Sequence, residues 1–363
     1  MKPDRVTWPL EDHTRAKHEI LRRYLRAWFP ILALGGFPRM VFIDGFAGPG
    51  IYDDGSDGSP LIALKAFLDQ SAPILAECHF HFIEKEEARA DRLRECMASL
   101  FAARPRPHNL HVRVHSGEGF EQVYATALRD HPRNAPVFAL VDPFGWNGIP
   151  MTAMRDLMNR ASGEVLVNFM FEEINRFLTH RDQPDNFDAL FGCADWRKVA
   201  ALPPAQRKAG IRDLYAAQLV SMAGARFVRH FEMRNGRERT DYYLFFATKN
   251  QKGLKKMKEA MWSVDQRGGM AFSDATDPGQ QVLFDGSDLS QLEGILARRF
   301  SGAAADVDEI ERFVVEETAF RETHYKGILK GMEARVPAAI QVEACREGRR
   351  RGTYPAGTRV RFA

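Results

Sequence analysis

Residues 225–249 read "ARFVRHFEMRNGRERTDYYLFFATK". Two apolar runs, "ARFVRHFEM" and "DYYLFFATK", flank the turn-prone "RNGRERT", a spacing that predicts an antiparallel hairpin. Upstream the pattern differs. Short apolar runs at "RMVFIDG" (39–45), "HFHFIE" (79–84), "LHVRVHSG" (110–117), "VFALVDPFG" (137–145) and "EVLVNFMF" (164–171) are each followed by a helical or mixed stretch. Strands that alternate with helices imply a parallel sheet.

Five parallel strands closed by a hairpin edge separate the class I S-adenosylmethionine (SAM) methyltransferase fold from an ordinary dinucleotide-binding sheet. The expected fold is therefore α/β, a Rossmann-like class I SAM-methyltransferase sheet with an antiparallel hairpin edge. Residues 13–29, "HTRAKHEILRRYLRAWF", place Ile20, Leu21, Tyr24, Leu25 and Trp28 at helical spacing, which makes 1–35 an N-terminal helical segment. The sheet domain is expected over 36–264. A Gly-, Asp- and Ser-rich stretch then opens a linker or embellishment over 265–302. Over 303–363 the order is helix ("DVDEIERFVVEET"), helix ("HYKGILKGMEARV") and an extended pair around the basic turn "REGRRRGTYPAGTRVRF", which suggests a winged-helix-like module. Its arginines, Arg346, Arg349, Arg350, Arg351, Arg359 and Arg361, either meet nucleic-acid phosphates or form a solvated edge.

The first strand runs into "FIDGFAGPGIYDDGSDGSP" (42–60). A dinucleotide site needs G-x-G-x-x-G leading directly into a helix whose free amides take the pyrophosphate. Here Gly45, Gly48 and Gly50 are followed by Asp53, Asp54 and Asp57, and the helix is expected only from Ser59 as N-cap with Pro60 in its first turn. Those carboxylates would repel a phosphate. SAM has none, so Asp44, Gly45, Phe46, Gly48 and Gly50 are read as its amino-acid cradle. Glu84 ends the second strand, from which it either accepts both ribose hydroxyls or serves the next helix dipole; with the loop, the ribose role is favoured. Glu118, in "HSGEGF", is a candidate contact to adenine.

The fourth strand ends in "VDPFGW" (141–146). Methyltransferases of nucleobase amines carry D/N-P-P-Y/F/W there: the acid and a backbone carbonyl accept from the amine and the aromatic stacks on the flipped base. Asp142, Pro143 and Phe144 fit this pattern, with Phe144 or Trp146 as the stacking ring, whereas Gly145 departs from it.

The segments "KHEILRRYLRAWFPIL", "FIDGFAGPGIYDDGSDGSPLIAL", "FIEKE", "LVDPFGWNGIP" and "RRRGTYPAGT" together resemble the three-Cys-motif partner protein family, TcmP. The resemblance spans most of the chain and implies a SAM-methyltransferase-like fold and a partner protein carrying a three-cysteine motif, with an iron–sulfur cluster as one option for that motif. More distantly, the Lys17-His18 pair and the Asp-Pro motif are similar to those of ribosomal-RNA adenine methyltransferases. By that likeness Lys17 joins Asp142, Pro143 and Phe144 as a candidate catalytic residue.

The remaining composition bounds these readings. The 363 residues, 45% hydrophobic, suffice for one sizeable core and a smaller satellite. Lys plus Arg (51) nearly balances Asp plus Glu (48), so any basic surface must be local, and Arg349, Arg350, Arg351 and Arg359 are its candidates for nucleic acid. Cys78, Cys96, Cys193 and Cys345 form no CxxC pair, and no metal is expected. His79, His81, His111 and His115 are read as alternating along strands, and "KNQKGLKKMK" (249–258) as a solvated helix face. Asp4, Glu11, Asp12 and Glu19 near the N-terminus, and the lack of a long apolar run, point away from a signal peptide or membrane span and toward the cytoplasm. Two functions compete: methyl transfer from SAM to a nucleobase amine, or to a small molecule or protein; and an accessory role in which the same fold presents nucleic acid to the partner.

Overall fold

The computed structural model describes residues 5–180, 183–275, 289–344 and 349–363. Cys345 and Arg346 lie outside them, as do residues 276–288 of the Gly-, Asp- and Ser-rich stretch.

The chain divides into two compact units. The first comprises Met1–Gly253 with Ala271–Asp277. It begins with α1 (Asp12–Leu34) and β1 (Arg39–Asp44), followed by α2 (Ser59–Leu68), β2 (Glu77–Glu84), α3 (Glu87–Ala103) and β3 (Leu110–Ser116). Next come α4 (Phe120–Arg129), β4 (Val137–Val141), α5 (Met151–Met158) and β5 (Gly163–Phe169). Four helices, α6 (Phe171–Phe177), α7 (Pro184–Phe191), α8 (Trp196–Ala200) and α9 (Pro204–Ser221), precede the hairpin of β6 (Phe227–Arg234) and β7 (Thr240–Thr248). After α10 (Gln251–Val264) the chain returns as β8 (Ala271–Ser273).

The sheet order is β3-β2-β1-β4-β5-β7-β6-β8. Strands β1 to β5 are parallel, and β7 runs antiparallel to both β5 and β6. This is a mixed α/β fold with a large, mostly parallel central sheet, compatible with a Rossmann-like arrangement. Every residue of β4 and β5, and every residue of β1 after Arg39, is buried, as strands covered by helices on both faces must be. The hairpin is not the sheet's edge as expected, because β6 pairs in parallel with β8. Three residues are too few for periodicity to show in sequence.

The second unit comprises Leu254–Met270 and Pro278–Ala363. Most of α10, assigned to the sheet domain on sequence, groups here. Its "KNQKGLKKMK" face is not uniformly solvated: Lys258 is buried and donates to Val314 O at 2.9 Å and Val315 O at 3.0 Å. Trp262 donates to Ala319 O at 2.9 Å. The unit continues with α11 (Ser290–Phe300), β9 (Ala304–Asp306), α12 (Val307–Glu317), α13 (His324–Ala334), β10 (Ile340–Ala344) and β11 (Arg359–Phe362). The strands form a small antiparallel sheet ordered β10-β11-β9 over a core that includes Leu296, Ile310, Tyr325, Leu329 and Val360.

Candidate active site

Strand order reverses at the β1/β4 junction, so the chain leaves the carboxyl ends of these neighbours in opposite directions and opens a crevice there. A cleft of about 530 Å³ occupies it. The glycine loop forms one wall. Gly48 and Gly50 take positive φ (62° and 85°), which side-chain-bearing residues rarely adopt, and the loop is tied down by Ala47 N to Ile83 O at 2.9 Å. At Gly45 a Cβ would lie 2.6 Å from the Phe120 ring, so only glycine fits against α4.

The acidic run after the loop serves the turn rather than the cleft. Ile51 and Asp57 form a bridge, Tyr52 N donates to Ser56 O, and the Asp54 carboxylate accepts from Ser56 N at 2.9 Å. Asp53 and Asp54 are exposed at the tip, and Asp57 accepts from Lys65 at 2.6 and 2.8 Å. None of the three lines the cleft, so their expected repulsion of a phosphate does not carry the ligand choice. Gly58 is the N-cap of α2, one residue before the expected Ser59.

Asp44, at the end of β1, is fully buried. One oxygen, Oδ1, accepts from Phe46 N at 3.2 Å, while Oδ2 has no hydrogen-bond partner. Burial pushes its carboxyl up to about 7, against the opposing pull of the Ser59 hydroxyl and the Phe46 amide.

The end of β4 carries the densest chemistry. Asp142 accepts from the Lys17 ammonium of α1 and, through Oδ1, from Asn168 Nδ2 of β5 at 2.6 Å. Burial pulls the Asp142 carboxyl up, but the Lys17 charge and both hydrogen bonds outweigh it and hold the group below its ordinary value. Lys17 also sits 5.7 Å from the centre of the Tyr242 ring. Phe144 is 45% exposed and meets Trp8 edge-on at 5.2 Å, with the Arg89 guanidinium 5.2 Å from the Trp8 ring. Trp146 is not a stacking ring for a ligand: it is buried in the core and stacked on Phe187 at 4.2 Å. Gly145, at φ 94°, turns the chain away after Phe144.

Lys17, Phe46, Gly48, Gly50, Asp142, Pro143 and Phe144 therefore meet on one cleft. Asp44 and Gly45 lie next to its wall. Glu84 is buried and both its oxygens hold backbone amides, Oε2 that of Gly48 at 3.0 Å and Oε1 that of Glu86 at 2.8 Å. It thus braces the loop and serves the residue preceding α3 at once. Glu118 is exposed and does not line the cleft. His18 is buried with an unpartnered Nδ1, and burial with the Lys17 charge lowers its imidazole to about 3.

Sequence reasoning missed Trp8, His13, Tyr52, Asn168 and Tyr242 on the cleft. Only Asn168 left a trace, as the one polar residue within "EVLVNFMF" beyond its first position. His13 bonds Asp274 at 2.7 Å and Glu11 at 3.0 Å. Burial lowers its imidazole, but these two carboxylates raise it further, so its net shift is upward.

In the second unit, Arg349 is taken up internally. It makes a paired contact to Glu333 at 2.7 and 2.8 Å and is 10% exposed, which removes it from the candidate phosphate contacts. Arg350 and Arg351 are exposed, whereas Arg359 and Arg361 flank Glu343.

No family model matches the chain, and no curated protein matches it. Among solved structures, protein LPL1258 from Legionella pneumophila str. Philadelphia 1, described under the family model DUF519, aligns at 13% identity. The alignment covers 63% of this chain and 84% of that one, with a TM-score of 0.36. EvdMO1 aligns at 12% identity over 82% of this chain and 51% of its own, with a TM-score of 0.33, so this chain spans about half its length. At these scores neither likeness speaks to function. Among the described residues no helix is long and apolar enough to cross a membrane.

Proposed function

We propose that the chain is a SAM-dependent methyltransferase with a class I fold, acting on a nucleobase amine and akin to the three-Cys-motif partner family. The observation that carries this reading is Asp142, held ionised by Lys17 and Asn168 at the carboxyl end of β4, opening on a cleft walled by the glycine loop. The residues present fit SAM: a glycine loop on the cleft wall whose Gly48 and Gly50 take positive φ, and a buried Asp44 oxygen without a partner. Asp44 and the loop amides would hold its amino-acid end, and Glu84 its ribose through the lone pairs its two backbone bonds leave. When bound, SAM supplies a methyl group activated by its sulfonium.

The chain's own residues align the acceptor. The Asp142 carboxylate and the Pro143 carbonyl accept the two N–H bonds of an amine, which directs the nitrogen lone pair outward, and Phe144 with Trp8 offers ring faces to a base. Because Lys17 keeps Asp142 ionised, the carboxylate accepts rather than donates. Such alignment, more than base strength, is what in-line transfer needs. The second unit, read as a winged helix, would contribute phosphate contacts through Arg350, Arg351 and Arg359.

One observation favours a second reading. Both Asp142 oxygens already have donors and Gly145 replaces the second proline of the amine-methylating motif, as suits an accessory protein that binds SAM and presents nucleic acid to a three-cysteine partner. Calorimetry with SAM and with its demethylated product, followed by transfer of a labelled methyl group to total RNA and DNA, tests both readings. Binding with transfer that Asp142→Ala abolishes supports the enzyme. Binding without transfer supports the accessory protein, and binding of neither ligand sinks both.

A further inference from the structure

Away from the cleft, β2 and β3 bring imidazoles together at the free edge of the sheet. Parallel pairing sets His79 opposite His111, and Glu77 lies two residues before His79, on the same face of β2. The His79 and His111 rings stack with centres 4.4 Å apart, and one ligand atom from each of Glu77, His79 and His111 lies within 4.8 Å of the others. All three side chains are half-buried, and both histidines line a surface cleft of about 540 Å³. Arg39 donates to Glu77 Oε2 at 2.8 Å, which fixes the carboxylate from behind.

We infer that Glu77, His79 and His111 bind a divalent transition-metal ion with the preferences of Zn²⁺. Two imidazoles and a carboxylate are a donor set that such ions favour, and three protein ligands leave a position for water. Tetrahedral bonds of 2.0–2.1 Å place ligand atoms about 3.3 Å apart, so small side-chain rotations close the triangle. The neighbouring histidines do not compete. His81 uses both ring nitrogens, on His115 at 3.0 Å and on His131 at 2.8 Å. His131, whose ring centre is 4.6 Å from that of His79, gives its Nε2 to His81, and its Nδ1 is buried.

The test uses the full chain without any histidine tag. Zn²⁺ is titrated in competition with a chromophoric chelator, and Co²⁺ is followed by its visible absorption. One ion per chain is expected, with affinity reduced at least about tenfold by His111→Ala, by His79→Ala and by Glu77→Gln, and unchanged by His115→Ala. Should His79→Ala fail to fold, His111→Ala on the edge strand decides the matter, with circular dichroism as the control for folding. No stoichiometric binding, or binding lost in His115→Ala but kept in His111→Ala, overturns the assignment.

Discussion

Replacing Asp44 with Asn should stabilise the protein above neutral pH and do little in acid. In the unfolded chain this carboxyl titrates near 3.9, whereas in the folded protein burial raises it to about 7, a gap that corresponds to about 4 kcal/mol. The folded state therefore binds a proton that the unfolded state has released, so stability is lost as pH rises from about 4 to about 7 and stays lost above. Asn cannot ionise. It keeps the acceptor for Phe46 N, but its amide replaces Oδ2, which has no partner, and an unpaired donor returns about 1–3 kcal/mol of the gain. The net expectation at pH 8 is a variant more stable by about 1–3 kcal/mol, with most of this difference gone by pH 5. Urea unfolding followed by tryptophan fluorescence reads it, since Trp8, Trp28, Trp146 and Trp196 belong to the unit that holds Asp44. The quantity to plot is variant minus wild type, because buried histidines such as His18 add acid sensitivity of their own to both. A difference that stays constant from pH 5 to pH 8 would refute the argument.

Glu164→Ala should cost about 3–5 kcal/mol, because it strands Tyr24, Trp28 and Thr248, which donate to that carboxylate at 2.6, 2.9 and 2.7 Å. A urea midpoint shift worth under about 1 kcal/mol would mean that the network is not formed. Arg349→Ala should destabilise the C-terminal unit by about 1–3 kcal/mol, because Glu333 loses its charge partner and keeps only the Tyr354 hydroxyl and the Gly352 amide as donors. Arg350→Ala should leave melting unchanged and, if the unit binds nucleic acid, lower the salt slope of binding by about one. His18 folds neutral with an imidazole lowered to about 3, so its contribution is intact above pH 6.5 and declines as pH falls below it. His18→Phe should flatten acid unfolding between pH 6.5 and 4, seen by circular dichroism.

The central strands were legible because parallel strands buried on both faces read as unbroken apolar runs, as "VFALV" and "EVLVNF" do. The hairpin was legible from its turn. What escaped depends on contacts distant in sequence: His13 meets Asp274 across 261 positions, and β8 exists only because β6 offers it an edge. In the site, Asp142 and Lys17 were singled out by motif and resemblance, yet nothing in the sequence told that they bond each other. Lysines and aspartates were misjudged where local chemistry absorbed them. Lys258 reads as solvated in a run of lysines but caps the carbonyls at the end of α12, and Asp57 reads as an anion of the loop but belongs to Lys65. Trp146, two positions after the exposed Phe144 ring, gave no sign that it packs inward.

Helix α1 is fastened to the sheet at two points, the carboxyl end of β4 and the start of β5. Near its start Lys17 reaches Asp142, which Asn168 of β5 also holds, and farther along Tyr24 and Trp28 anchor on Glu164 of the same strand. Lys17 and Trp28 are about 16 Å apart along the helix, and Glu164 and Asn168 about 13 Å apart along the strand. A rod pinned once can pivot; pinned twice over such a span, it cannot swing without breaking a buried bond. The ammonium at the cleft is therefore positioned as firmly as the sheet itself, and loosening the far pin at Glu164 would set it adrift.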